Sequence, residues 1–245
     1  MADLDSDRIA RTALALADKH GLEGFTMRAV AKALKVTPMA LYHHVQDKTE
    51  LAKLMLDCAI REHPLPAPTG VWQEDMWAFA RWMRESARAH PSLAIIRRTY
   101  RVWTPTMLQM SEAWMNLWRQ TGLPPDRALL GASLSSVAII GLVDEEAILR
   151  DLDQPADDLL KWLPNARLLL STSIVGEDKF ELAVRAVIEG MYARLARSDL
   201  PVPPVEPLQP GKPKAVKPAK RKTPKKGAPS LRSGSRQRPH RASRR

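Results

Sequence analysis

Apolar residues recur at every third or fourth position over most of the chain before residue 199, and this spacing predicts amphipathic helices. Near the N-terminus the pattern is divided by a stop signal at Gly21 and by start signals at Thr26, Thr37-Pro38 and Asp47. The signals predict helices over 6–20, 27–34, 38–44 and 48–63. Apolar and polar residues nowhere alternate as they do in a strand, so we expect an all-α fold.

A second set of helices is predicted in the middle of the chain, over 72–88, 104–121, 127–143 and 180–195. The helix at 72–88 has one apolar face, and its opposite face is expected to be solvated because it carries Arg81, Arg84, Glu85 and Arg88. The helix at 127–143 is apolar or small all round, which predicts that neighbouring helices enclose it, whether from the same subunit or from a second one.

Prolines divide the chain into three segments. At every second position from Pro64 to Pro68 they exclude a helix, and this marks a domain boundary. The segment 199–245 holds 10 of the 20 prolines and no aromatic residue, so we predict that it is disordered. We therefore expect an N-terminal domain at 1–63, a helical domain at 71–198 and a tail at 199–245.

The net charge of +11 belongs to the tail. Residues 201–245 carry 14 lysines and arginines and a single acid, Glu206, whereas residues 1–200 carry a net charge of −2. Because prolines keep such a segment extended, its charges can follow a row of phosphates without reading sequence. The alternative is a tail that only keeps the protein soluble.

Other features of the composition exclude whole classes of protein. The single cysteine, Cys58, excludes a disulfide framework, and we expect it to be an inert core residue. The N-terminus has no apolar run typical of a secretion signal. The longest uncharged stretch, 128–143, is shorter than the roughly 20 residues that a membrane span needs. We expect a cytoplasmic protein without a membrane partner.

The N-terminal helices carry the sharpest functional signal. Two short helices joined by a tight turn and braced by a longer one predict a helix-turn-helix. In the helix at 38–44, the 100° spacing turns Leu41 inward together with Pro38 and Val45, and it turns Met39 and His43 outward. An outward face with no acid suits a groove lined by phosphates. Consecutive histidines diverge by about 100° on a helix and cannot chelate together, so we expect no metal or other cofactor.

These residues resemble the DNA-binding domain of the TetR (tetracycline repressor) family. The resemblance covers residues 5–63 and is carried by Thr26-x-Arg28-x-Val30-Ala31-x-x-Leu34-x-Val36, by Leu41-Tyr42-x-His44-Val45 and by Lys48-x-x-Leu51. It implies a homodimer that binds a palindromic operator on double-stranded DNA and is released by a small-molecule effector. By the family pattern, the DNA-contacting positions are Thr26, Arg28, Thr37, Pro38, Met39, Tyr42, His43, His44 and Lys48.

The chemistry of three of these residues narrows their roles. Arg28 can hydrogen-bond either a guanine edge or a phosphate. Met39 has no hydrogen bond to offer and suits the methyl group of thymine. Tyr42 suits a phosphate, to which its hydroxyl would donate.

The family places its effector pocket in the helical domain, where this chain concentrates Trp82, Trp103, Met107, Met110 and Trp114. Such side chains suit a planar apolar ligand, including a cationic one, although a stripe of Met and Trp is more often part of a core. The tetracycline binders' histidine pair for a metal–drug complex has no obvious counterpart here, so the resemblance does not identify the ligand.

Two other functions compete with a ligand-responsive repressor. One is a nucleoid-associated architectural protein whose basic tail coats DNA. The other is an enzyme that uses the Asp144-Glu145-Glu146 cluster or the Asp157-Asp158 pair. The acids have no histidine, lysine or phosphate-binding loop beside them in sequence, so we interpret them as a solvated helix end and expect no catalysis.

Overall fold

The fold begins with four helices whose ends are fixed by their own sequence. In the computed structural model, which describes residues 4–150, 152–153, 155–171, 176–199 and 201–204, these are α1 (Ser6–Gly24), α2 (Met27–Leu34), α3 (Pro38–Tyr42) and α4 (Lys48–Glu62). The predicted stop at Gly21 is a kink rather than an end: its φ of 65° breaks α1, which resumes for one more turn. The third helix ends at Tyr42, two residues earlier than predicted.

Seven further helices follow within the described residues. They are α5 (Trp72–Ala89), α6 (Ser92–Tyr100), α7 (Pro105–Arg119), α8 (Pro125–Arg150), α9 (Asp157–Leu160), α10 (Pro164–Ser171) and α11 (Glu177–Ala196). No strand occurs in the part of the chain that the structure describes. The predicted all-α fold is confirmed.

Two hydrophobic clusters organise these helices. The first lies among α1 to α4 and includes Leu41, Val45 and Leu51, all fully buried, together with Ile96 from α6. The second joins α5, α7, α8 and α11. Helix α6 packs against both α1 and α4, so it connects the second set of helices to the first.

Helix α8 is longer than its uncharged stretch predicted. It runs from Pro125 to Arg150 instead of 127–143, so it includes the acidic cluster at 144–146. By length and composition, Pro125–Leu149 is the one described helix that could cross a membrane. A buried carboxylate at Glu146 and a buried hydroxyl at Ser135, both hydrogen-bonded within the subunit, instead show that one side of α8 packs into the core of the protein.

The expected solvated positions of Arg84 and Glu146 are wrong. Arg84 is 1% exposed, and its guanidinium donates to both carboxylate oxygens of Glu146, to Glu177 and to the Gly176 carbonyl. Arg88 also donates to Glu146. Burial alone would raise the pKa of Glu146, but the hydrogen bonds and charges of the two arginines outweigh it and lower that pKa. The cluster is therefore a structural ion network that joins α5, α8 and α11.

Most of the predicted tail, residues 205–245, lies outside the described residues.

Candidate DNA-binding surface and effector region

Three side chains fix the starts of the helices that form the turn motif. The Thr26 hydroxyl oxygen accepts from the Ala29 amide at 3.1 Å, and that of Thr37 accepts from the Ala40 amide at 3.1 Å. Asp47 Oδ1 accepts from the first amides of α4. Each oxygen satisfies a helix amide that has no partner inside the helix, so the caps define the orientation of α2, α3 and α4.

Glu50, three residues after the N-cap Asp47, occupies the acidic position of a capping box. Glu50 bonds the amide of Gln46, at 2.5 Å, instead of the amide of the N-cap Asp47. Both carboxylates are thereby engaged by backbone amides beside the turn. The negative charge of the two carboxylates interacts favourably with the positive, N-terminal end of the α4 dipole.

Helix α3 separates an inward side from an outward side. Leu41 is completely buried, whereas Met39 is 69% exposed and Tyr42 48% exposed. His43 and His44 are also exposed. Pro38, which was expected to lie inward, is exposed as well, because as the first residue of the helix it stands at the surface beside the Thr37 cap. An apolar side chain, a phenol and two imidazoles therefore form one outward face.

Two cations flank this face. Arg28 is exposed in the first turn of α2, and Lys48 is exposed in the first turn of α4. The Lys48 ammonium lies 5.3 Å from the centre of the Phe25 ring. Phe25 itself is fully buried, and sequence reasoning did not identify it. Its place directly before the N-cap Thr26, with Val30 four residues into the helix, is the hydrophobic-staple pattern that would have revealed it.

The five expected effector residues do not all come together. Trp82 and Trp114 are buried on either side of Phe79, with ring centroids 5.5 and 5.3 Å from it. Met110 packs against the same cluster. Met107 packs against the first cluster instead, and Trp103 is 67% exposed. Trp82, Met110 and Trp114 thus form one apolar group from which Trp103 is separate.

The structure also bears on Cys58 and on potential metal ligands. Burial and, to a smaller extent, a side-chain hydrogen bond to Glu62 together raise the pKa of the Cys58 thiol to about 11. A thiol of this kind is mostly protonated at neutral pH, in agreement with the prediction of an inert core cysteine. Among the residues that the structure describes, no three His, Cys, Asp or Glu side chains are placed to share a metal ion.

An outward-facing α3 between capped helices, carried on a separate helical core, defines a helix-turn-helix DNA-binding regulator. Residues 9–55 match the family described as "Bacterial regulatory proteins, tetR family", and residues 64–195 match "Tetracyclin repressor-like, C-terminal domain". The chain belongs to the TetR family of transcriptional regulators, as the residues of the first helices predicted.

Individual relatives agree with this assignment. The chain is 36% identical over 122 residues to the HTH-type transcriptional repressor DrrR1 of Streptomyces coeruleorubidus, a match that spans 49% of this chain and only 45% of DrrR1. It is 26% identical to the class E tetracycline repressor protein of Escherichia coli over 80% of this chain and 94% of that repressor.

Among solved structures, ActR of Streptomyces coelicolor in complex with actinorhodin is 32% identical and superimposes with a TM-score of 0.63 over 80% of this chain and 99% of ActR. DrrR1 and the class E protein are repressors and ActR is a TetR family protein, so all three agree with the family of this chain.

Proposed function

We propose that this protein is a homodimeric repressor that binds a palindromic operator and is released by a small planar effector. The observation that carries the proposal is the outward face of α3, where Met39 is 69% exposed directly beside the buried Leu41. Two such helices would enter successive major grooves about 34 Å apart. As a DNA-binding regulator, the protein would act in the cytoplasm on the nucleoid.

The proposed DNA contacts are exposed or half-buried residues on this face and around it. They are Thr26, Arg28, Thr37, Pro38, Met39, Tyr42, His43, His44 and Lys48. The two capping threonines use their oxygen as an acceptor within the helix, so the hydroxyl hydrogen is available to a phosphate. Base edges would be read by Met39 and the histidines, while Tyr42 and Lys48 would hold phosphates.

The homodimer is supported by apolar side chains that the single subunit leaves exposed. On α8, Leu134 is 51% exposed and Val137 is 71% exposed, and on α11 Leu182 is 70% exposed. Apolar surface on two long helices is typical of a protein interface. A second subunit that covers both helices would also enclose the outer side of α8.

The effector region is proposed at Trp82, Met110 and Trp114 of the second cluster, with Met107 and the exposed Trp103 as further contacts. Flat rings and flexible thioethers suit a planar apolar molecule. The crystal structure of ActR with actinorhodin shows that a relative of this fold binds a small molecule. A screen of planar apolar compounds would identify the effector of this chain.

The direct test is selection of bound fragments from random duplex DNA with the full-length protein at moderate salt. We expect an inverted repeat whose half-sites lie one helical turn apart. Arg28→Ala should then be compared with Gln109→Ala, an exposed control on α7. A loss of about 1–3 kcal/mol confined to one base position indicates a base contact, whereas an equal loss on all sequences indicates a phosphate contact. Failure to enrich any sequence would refute the proposal.

A second candidate function is favoured by the charge of the tail. Its 14 basic residues could make sequence-independent phosphate contacts, as an architectural protein does. Truncation after residue 200 separates the two functions. If the tail only adds phosphate contacts, truncation weakens binding equally on all duplexes and reduces its salt dependence. If sequence preference disappears with the tail, the architectural function is the better description.

A further inference from the structure

Phe25 lies where the DNA-facing surface meets helix α6. The residue is fully buried between α1 and α2 and directly precedes the α2 cap Thr26. The Lys48 ammonium lies 5.3 Å from the centre of its ring. The ring of Tyr100, the last residue of α6, meets the Phe25 ring at 6.2 Å and 77°, an edge-to-face contact. One buried ring therefore contacts α4 and α6 and adjoins the start of α2.

We propose that Phe25 is a positioning residue for DNA binding, which aims Lys48 at a phosphate while Tyr100 holds the ring in place. The inference rests on the proposed function, in which Lys48 contacts DNA. It adds a residue that would never touch DNA and would still set the affinity for it.

An aromatic ring is better suited than a carboxylate to position Lys48 for a phosphate. A lysine side chain has a large rotamer entropy, part of which is lost when a phosphate immobilises it. The face of a ring attracts the ammonium and restricts it beforehand, so less is lost on binding. A carboxylate would also restrict it but would neutralise the charge that the phosphate needs. Against Phe25, the ammonium keeps all three N–H donors for DNA.

The contact with Tyr100 explains why the ring itself is well placed. An edge-to-face pair has a preferred angle, and each ring limits the rotation of the other. Tyr100 is followed by Arg101 in the left-handed conformation, with φ of 47°, which ends α6 and fixes where the tyrosine stands. The ring that holds Lys48 is thus braced from α6.

The test is a double-substitution cycle in full-length protein. Binding is measured by fluorescence anisotropy on the duplex recovered by selection and on a scrambled duplex, over a range of salt. We expect Phe25→Leu, which keeps an apolar side chain but removes the ring, to weaken both complexes about two- to fivefold. In the Lys48→Met background, Phe25→Leu should cause no further loss. Tyr100→Phe should bind normally and Tyr100→Leu weakly.

A matched control separates aiming from folding. Met55→Leu makes a similar apolar change at another fully buried position of the same cluster, and it should leave DNA affinity unchanged. If Phe25→Leu weakens binding equally with and without Lys48, the ring serves the fold alone and the inference is overturned. If Lys48→Met alone changes neither affinity nor salt dependence, the proposed DNA contact of Lys48 is itself wrong.

Discussion

The indole N–H of Trp82 donates a hydrogen bond to the backbone carbonyl of His63, and the two heavy atoms are 2.9 Å apart. His63 is the residue at which α4 ends, and α4 begins at Lys48 beside the DNA-facing surface. One side of the proposed effector region is therefore bonded directly to the helix that carries a proposed DNA contact. An effector that shifts Trp82 can move α4 through this hydrogen bond, provided that it binds one arrangement of α4 and α5 more tightly than another.

Replacement of Trp82 tests this link. Trp82→Phe keeps a ring in the core and leaves the His63 carbonyl without its donor, so the free energy of unfolding should fall by about 1 kcal/mol. Once an effector is identified, the variant should also need more of it to release DNA. Trp162→Phe, at a position that is 79% exposed and outside the effector region, is the control and should change neither urea denaturation nor release. Equal behaviour of the two variants would disprove the link.

The pair of Arg84 and Glu146 predicts a dependence of stability on acid. The pKa of Glu146 is lowered in the folded protein, so its ionisation stabilises the fold above its ordinary pKa of 4.5, and this contribution is lost as the pH falls through the lowered value. Glu146→Gln should cost about 3 kcal/mol at pH 7, because the buried guanidinium of Arg84 loses the carboxylate that it bonds twice and keeps only that of Glu177.

Urea denaturation at several pH values measures this effect. The difference between the native protein and Glu146→Gln should narrow below pH 4.5. Glu145→Gln, an exposed neighbour on the same helix, is the control and should be nearly neutral at every pH. A difference that stays constant into acid would show that the network does not depend on the ionised Glu146.

Close packing on α8 gives a prediction for glycine. A Cβ at Gly131 would overlap the ring of Trp118, which is fully buried and donates to Ser135 Oγ at 3.0 Å. Gly131→Ala should therefore lower the free energy of unfolding by about 1–3 kcal/mol in a thermal melt. Gly141→Ala on the same helix meets no atom within 4 Å and should not destabilise the subunit. If the two variants melt alike, the packing around Trp118 is looser than the structure shows.

The sequence predicted the turn motif well because its signals are local. Thr26, Thr37 and Asp47 each bond an amide two or three residues away, so their spacing in the chain already determines the contact. Arg84 and Glu146 are 62 residues apart. The sequence around each of them shows only that it is charged. The partner that makes the burial of each residue possible is brought close by tertiary packing.

Tertiary packing also explains why the end of α8 and the positions of the effector residues differ from the prediction. The uncharged pattern stops at Val143, but the helix continues because Asp144 pairs with Arg97 and Arg98 of α6. Trp103 was grouped with Trp114 by residue type and proximity in sequence. The start of α7 at Pro105 separates them, because Trp103 precedes the helix and lies exposed.

The proposed dimer predicts different effects for two similarly exposed leucines. Leu134 on α8 is 51% exposed and Leu108 on α7 is 55% exposed. Leu134→Asp should convert the dimer to a monomer, because two such charges would be desolvated in a self-complementary interface. Leu108→Asp should leave the dimer intact. Sedimentation equilibrium measures both, and a native protein that sediments as a monomer would contradict the proposed homodimer.

Two residues of α3 should respond in opposite ways to the same substitution. Leu41→Ala removes a fully buried side chain and should cost about 2–5 kcal/mol of stability. Met39→Ala alters a side chain that is 69% exposed, so the melting temperature should not change. Its binding to the selected duplex should weaken by about 1 kcal/mol, the lower end of what a mismatched base pair costs.

The expected loss for Met39→Ala comes from the apolar contact with a thymine methyl, so it should disappear on a duplex with uracil in place of thymine at the contacted position. Circular dichroism melts measure the stability of the two variants. Anisotropy titrations measure the affinity of Met39→Ala for each of the two duplexes. An equal loss on the two duplexes would place Met39 away from the methyl group. Unchanged affinity on either duplex would mean that the outward face of α3 does not read DNA through this residue.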